Sequence, residues 1–314
     1  MDQPQATLVD RQSASRSRDG VRRPSEEALA AARDLSLRVH ERAHLPLRRA
    51  FAELPDFDLL PEDIARPLPA ITPLAQMLRG GRGGSVRLRL YLSMLYLAAA
   101  PPHEVTYPAR AWAQLLDLEN PTTAGTRRVS DAIKWLERNR YVEVVQNVGG
   151  PNTVRMMSEL GDGRPYRLPG ESYNRLRHNF EAASVHRYIR LPGGLWRSGW
   201  MAVLSPAALG MLIILYTQLG ANRAEDTTVW IAPDYAAETF QLSEETRSRG
   251  LNELEAGGLI TVRRRALATT EAFSIRRYRN VYNINLDAFD SPAAIPERTP
   301  GEARRRTPDF GKYF

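Results

Sequence analysis

Two helix-length stretches of this chain are strongly apolar, Val86 to Ala99 and Ser205 to Leu219, and the same succession of patterns follows each. After the first, Glu104 to Tyr107 reads as a short strand and Ala109 to Leu116 as a helix, with Pro108 where a first turn accepts proline. A third helix is expected from Thr126 to Arg138, because Val129, Ala132, Ile133 and Leu136 recur at i, i+3, i+4 and i+7. Tyr141 to Gln146 and Thr153 to Met157 then read as two strands around Gly149, Gly150, Pro151 and Asn152, a good turn composition. After the second stretch, whose start is marked by Ser205 as N-cap and Pro206 in the first turn, come a strand at Thr228 to Ile231 and a helix at Pro233 to Phe240. Ser243 caps the next helix, which reaches Ala256 and is ended by Gly257 and Gly258. Leu259 to Arg265 and Phe273 to Asn285 form a long hairpin with residues 266–271 at its tip.

The two successions align residue by residue. VSDAIKWLERNRYVEVV from Val129 and RSRGLNELEAGGLITVR from Arg247 superpose at a shift of 118 residues. Ile133, Leu136 and Glu137 then match Leu251, Leu254 and Glu255, and Tyr141, Val142 and Val144 match Leu259, Ile260 and Val262. A repeat at this spacing signals one supersecondary unit used twice. Outside the units, residues 1–24 read as a disordered polar tail, and Ser25 caps a helix to about Ala43 with Glu26 and Glu27 in its first turn. Leu45 to Leu54 reads as a second helix, Pro55 to Pro73 as an extended connector and Arg79 to Ser85 as a flexible glycine hinge. The division that follows is a tail (1–24), a helical extension and connector (25–85), a first unit (86–158), a linker with a helix near Tyr173 to Phe180 (159–187), a second unit (188–288) and a disordered basic tail (289–314). The fold class is α+β, mainly helical.

Composition narrows the function. The 314 residues are 43% hydrophobic and 25% charged, the range of ordinary globular proteins. No apolar run approaches the roughly 18 residues needed to span a bilayer, and the polar N-terminus lacks a signal-peptide core. A cytoplasmic protein, associated with nucleoid or plasmid, is therefore expected. The chain has no cysteine, which excludes disulfides, thiol chemistry and Cys-ligated zinc. There is no P-loop, no His-x-His or His-Glu-x-x-His, and no paired-acid nuclease motif. No enzyme, cofactor or metal is expected. The net charge of +7 favours a polyanionic partner. All but two of the 43 basic residues are arginine, a bias that GC-rich coding suffices to explain, so only arginine placement carries an argument.

Placement points to two helix faces and one hairpin. Opposite the apolar stripe of the first unit's third helix lie Arg127, Asp131, Lys134 and Arg138, flanked by Thr126, Arg128 and Ser130. In the second unit, Gly250, Leu251 and Leu254 face inward, and Thr246, Ser248, Arg249 and Asn252 lie outward or on the flank. Arginine suits guanine O6 and N7, asparagine suits adenine, and Asp131 accepts from cytosine or orients Arg127 or Arg128. Glu244 and Glu245 weaken the second helix as a DNA reader, although acids at a helix start also serve the dipole. The second hairpin carries Arg263, Arg264 and Arg265 on one strand and Arg276, Arg277 and Arg279 on its partner, charges that suit a phosphate strand.

Helix, strand, helix, turn, helix and two-stranded wing is the order of the winged helix, here in tandem after an N-terminal helical extension. On this order and the paired segments, over roughly residues 86–157 and 188–286, the chain resembles the tandem winged-helix initiators of plasmid replication. GGRGGSVRLRLYLSMLYLAAAPPHEVTYPARAW and LSEETRSRGLNELEAGGLI also look like actinobacterial proteins of this tandem type. The resemblance implies double-stranded DNA binding by both third helices and wings, at direct-repeat or asymmetric sites, with replication proteins as possible partners. A transcriptional regulator and a winged-helix protein-interaction scaffold remain as alternatives.

Overall fold

The computed structural model describes residues 20–62, 68–79, 82–220, 228–266 and 278–297. It is an α+β chain, about 48% helical and 17% strand. In chain order the elements before the first unit are β1 (Val21–Arg22), α1 (Glu26–Arg38), β2 (His44–Arg48) and α2 (Pro73–Leu78). The first unit comprises α3 (Arg82–Leu97), β3 (Glu104–Val105), α4 (Ala109–Leu115), α5 (Ala124–Arg138), β4 (Val142–Val145) and β5 (Thr153–Met156). Between the units lie α6 (Pro169–Leu176), α7 (Phe180–Ser184), β6 (Tyr188–Pro192), α8 (Gly194–Arg197) and α9 (Trp200–Val203). The second unit comprises α10 (Pro206–Leu219), β7 (Thr228–Val229), α11 (Pro233–Phe240), α12 (Glu244–Ala256), β8 (Ile260–Ala266) and β9 (Tyr278–Ile284), and β10 (Ile295–Pro296) follows.

Both units close the same small sheet. The hairpin β4–β5 takes β3 as a third strand in the order β3-β5-β4, and β8–β9 takes β7 in the order β7-β9-β8. The helix starts form as their caps dictate. The hydroxyls of Ser25, Ser205 and Ser243 accept from the backbone N–H groups of Ala28, Ala208 and Thr246.

The core lies where the two units meet. Residues 207–217 of α10 are buried without a break, as are nearly all side chains of α3 from Val86 to Tyr96. A helix apolar on every side finds partners on every side. α10 packs on α12 of its own unit, and also on α2, α3 and β6. One continuous cluster of buried side chains therefore runs through both units. Trp196 of α8 stacks on Tyr96 of α3 with ring centroids 4.0 Å apart, and its indole N–H donates to Ser93 at 3.0 Å.

A buried cation sits in this seam. Arg89 of α3 is 7% exposed, and its guanidinium donates to the carbonyls of Ser85, Leu116, Met201 and Ala202 at 3.0–3.3 Å. Burial, then the nearby Arg128 and Arg22, pushes its pKa down to about 10, which leaves it charged at neutral pH. The segment before α1 crosses the same seam. Arg22 pairs with Glu253 of α12, and Ser25 holds both carboxylate oxygens of Asp117, between α4 and α5. Glu253 also accepts from the backbone N–H of Ser205 at 2.8 Å.

Several segments differ from the expectations above. Leu45 to Leu54 is not one helix: β2 pairs antiparallel with β6, Leu45 opposite Leu191 and Leu47 opposite Ile189, and only Arg49–Phe51 make a single 3-10 turn. Leu45 and Leu47 alternate into the core, a period of two, and Pro46 would break a helix interior. The glycine hinge is instead the start of α3 from Arg82 onward. Gly84 lies so close to the end of α2 that a Cβ would stand 2.9 Å from the Leu78 carbonyl oxygen. Residues 80 and 81 lie outside the described residues.

The expected linker 159–187 is folded and anchored. Glu159, fully buried, receives the guanidinium of Arg48, which also donates to Ser172 at 3.0 Å, the Arg167 carbonyl at 2.9 Å and Nδ1 of His186 at 2.9 Å. Folded structure also enters both expected tails. β1 pairs with β10, and Phe289, Ala293 and Ile295 are buried, so folded structure reaches back to Gly20 and on to Glu297. Residues 1–19 and 298–314 lie outside the described residues. No helix among the described residues is long and apolar enough to cross a membrane.

Two outcomes follow. Arg89→Met leaves three inter-element carbonyls without their donor, at about 1–3 kcal/mol each. Denaturant unfolding should show a loss of about 3 kcal/mol or more, within a single transition for both units. A loss below about 1 kcal/mol, or two separate transitions, would remove Arg89 as the seam's anchor. The second concerns acid. Burial, followed by the charges of Arg48, Arg175 and Arg164, pushes the His186 pKa down to about 3. An unfolded histidine protonates near pH 6.5, so the unfolded state alone gains a proton as the pH falls from about 6.5 toward 3. Stability present above about pH 6.5 should decline across that window. His186→Gln, which keeps an acceptor for Arg48, should flatten the decline between about pH 6.5 and 5, where carboxylates remain ionised. Unfolding midpoints measured at both pH values would show this, and an identical slope in the variant would refute it.

Candidate nucleic-acid interface

α5 presents the residues expected of it. Val129, Ala132 and Leu136 are buried against α3 and α4, and Arg127, Arg128, Asp131, Lys134 and Arg138 are exposed. Among the described residues none of these five forms an ion pair, and Asp131 holds neither Arg127 nor Arg128. The flanking hydroxyls are spent locally. Thr126 donates to the Pro121 carbonyl at 2.6 Å, which ties the helix start to the preceding turn, and Ser130 donates to the Thr126 carbonyl at 3.0 Å. Both are half-buried. At the far end, Trp135 stacks on Tyr141 and carries the Arg87 guanidinium 4.5 Å above its ring. The helix is thus backed by packed aromatics while its charged face stays open.

α12 is held differently. Gly250, which matches Ala132 at the repeat shift, approaches α10 so closely that a Cβ would stand 2.3 Å from the Ala207 carbonyl oxygen. Arg249 is exposed, and Thr246, Ser248 and Asn252 are half-buried. Thr246 shares a hydrogen bond with Ser243 at the cap, so its hydroxyl is engaged. Glu244 and Glu245 are exposed in the first turn. This helix offers one open cation beside two open carboxylates, against four open cations beside two open carboxylates, Asp131 and Glu137, on α5.

The hairpin arginines divide between two faces. Arg263, Arg264 and Arg265 are exposed, and none forms an ion pair among the described residues. The register sets Val262 opposite Tyr282, Arg264 opposite Asn280 and Arg265 opposite Arg279. Arg264 therefore points to the side of buried Tyr282 and Ile284, while Arg263, Arg265 and Arg279 point the other way. Arg279 is half-buried, its guanidinium 4.6 Å over the ring of Trp230. Arg276 and Arg277 lie outside the described residues. The expected sites thus lie on α5, at Arg249 of α12 and on both faces of β8–β9, with Arg263, Arg265 and Arg279 on one of those faces and Arg264 on the other.

Sequence reasoning passed over Trp230. It follows the short strand β7 and is 52% exposed, whereas Trp112, Trp196 and Trp200 are buried. Its signal was parity: Val229 is buried, so the next residue faces out. A groove of about 360 Å³ between α1 and α4, lined by Ala31, Leu35, Arg38, Tyr107 and Trp112 among others, was also not foreseen. Arg38 closes one side of it, paired with Asp34 and stacked over Tyr107. Comparison with protein-family models, curated proteins and solved structures finds no match for this chain.

Proposed function

We propose that this chain binds double-stranded DNA through two tandem winged helices, with α5 as the principal reading helix, and serves as a replication initiator of a plasmid or mobile element. The observation that carries the DNA reading is the open face of α5, where four cations around Asp131 form no ion pair among the described residues, on a helix fixed from behind by the core. The repeated order of helix, strand, helix, helix and hairpin, each with the same three-strand sheet, supports the winged-helix reading. In that geometry the third helix enters the major groove. Arg127 and Arg128 at its start are apt for guanine edges, and Lys134 and Arg138 for the phosphates. The unlike outward residues of α5 and α12 favour an asymmetric or direct-repeat site. The initiator role rests on the resemblance of the tandem arrangement.

One observation favours a second reading, a transcriptional regulator. The groove between α1 and α4 is of a size that small molecules occupy, and α4 packs directly on α5. A ligand there would touch a neighbour of the reading helix.

Arg127→Glu with Lys134→Glu should weaken binding to a duplex target by roughly a hundredfold and reduce the salt slope by about two contacts. Both residues are exposed and unpaired among the described residues, so the melting temperature should not change. Unaltered affinity in a folded variant would refute α5 as the reading helix.

A further inference from the structure

The outer faces of the two small sheets occupy equivalent places and differ in chemistry. In the first unit the face is self-compensated. Arg155 of β5 bonds Glu104 of β3 at 2.8 Å and Glu143 of β4 at 2.8 Å, and Thr106 bonds Thr153 at 2.8 Å. The matching positions in the second unit are Thr228 for Glu104, Thr261 for Glu143, Asn283 for Arg155 and Trp230 for Thr106. The acids are gone, and Arg263, Arg265 and Arg279 extend the same face farther along the hairpin.

Three features mark that face. Arg265 stands directly across from Arg279, and like charges in opposed register are destabilising. The buried Nε of Arg279 has no hydrogen-bond partner among the described residues. Trp230 exposes half its surface, and a recess of about 500 Å³ runs between it and Tyr235. Tyr235 is 40% exposed and is fixed by a hydrogen bond from its hydroxyl to Glu53 at 3.0 Å.

We propose that this face, built from Trp230, Arg263, Arg265 and Arg279, is a binding site for single-stranded nucleic acid. The arginines attract phosphates, and an open indole offers a stacking platform for a base. A duplex keeps its bases stacked on one another and offers the indole no free base, so the aromatic element selects a single strand. The site lies on the second hairpin and not on α5; it shares Arg263, Arg265 and Arg279 with the wing contacts expected for duplex DNA, and Trp230 is the element particular to the single strand.

The test uses the full chain, labelled oligonucleotides of about fifteen thymidines or fifteen uridines, and a duplex of equal length, in about 0.15 M salt. The wild type should bind a single strand with quenching of tryptophan fluorescence. Trp230→Ala should weaken that binding roughly tenfold or more and leave duplex binding unchanged. Trp230→Phe should keep most of the affinity and lose the quench, and Arg265→Glu, which sets a carboxylate opposite Arg279, should weaken binding while the melting temperature holds or rises. The thymidine and uridine arms distinguish DNA from RNA as the source of the strand. Absence of single-strand binding, or equal binding by Trp230→Ala and wild type, would overturn the site. Retention of single-strand binding in the Arg127→Glu, Lys134→Glu variant would show that the two faces act separately, and its loss there would overturn the assignment to this face.

Discussion

The buried guanidinium of Arg89 is the constraint on which the rest of the structure depends. A charge inside an apolar seam is tolerated only where its hydrogen-bonding capacity is met. Here carbonyls from α3, from the end of α4 and from α9 meet it. Those carbonyls belong to segments far apart in the chain, so satisfying one side chain fixes the first unit against the approach to the second. The apolar helices α3 and α10 supply the burial around it, and the pairs Arg22–Glu253 and Ser25–Asp117 close the seam from outside. The connecting segment is held in the same way by Arg48, Glu159 and His186. The two units are thereby joined without a free joint between them.

This arrangement separates two kinds of surface. α5 carries open cations on a helix whose inner face is fully packed, the condition for holding side chains in register with a rigid ligand. α12, drawn close to α10 at Gly250 and headed by Glu244 and Glu245, is better suited to packing than to attracting phosphate. In the hairpins the contrast reverses. The first is neutralised by Glu104, Arg155 and Glu143, and in the second Arg263, Arg264, Arg265 and Arg279 form no ion pair among the described residues, Arg279 lying over the half-exposed indole of Trp230. A repeated scaffold has thus been differentiated by exchanging charges at matching positions.

Local pattern made much of this legible. The capping serines, the stripe Val129, Ala132, Leu136 and the glycine stop after Ala256 act within a few residues of themselves, and the helices they announce start where expected, although the one capped by Ser25 stops at Arg38, short of Ala43. Pairings across long separations were not legible. The strands β2 and β6 are more than a hundred residues apart, and β1 and β10 more than two hundred. Two- and five-residue strands carry too little alternation to announce a partner at that distance, so Leu45 to Leu54 read as a helix and the ends as tails. The arginines of the second hairpin could be counted but not sorted, because their sidedness depends on the register that sets Arg265 opposite Arg279. Trp230 stood out only once that register was known.

The most direct test of duplex reading by a jointless pair of units is selection of bound fragments from source DNA at about 0.15 M salt, followed by insertion of base pairs between the enriched half-sites. The account predicts two unlike or directly repeated half-sites at one spacing, with affinity lost when about five base pairs, half a helical turn, are inserted. Clustering of such sites beside an AT-rich stretch would favour initiation, and scattered promoter sites would favour regulation. Tolerance of any spacing would contradict the rigid seam, and the absence of an enriched sequence would contradict sequence-specific reading by α5.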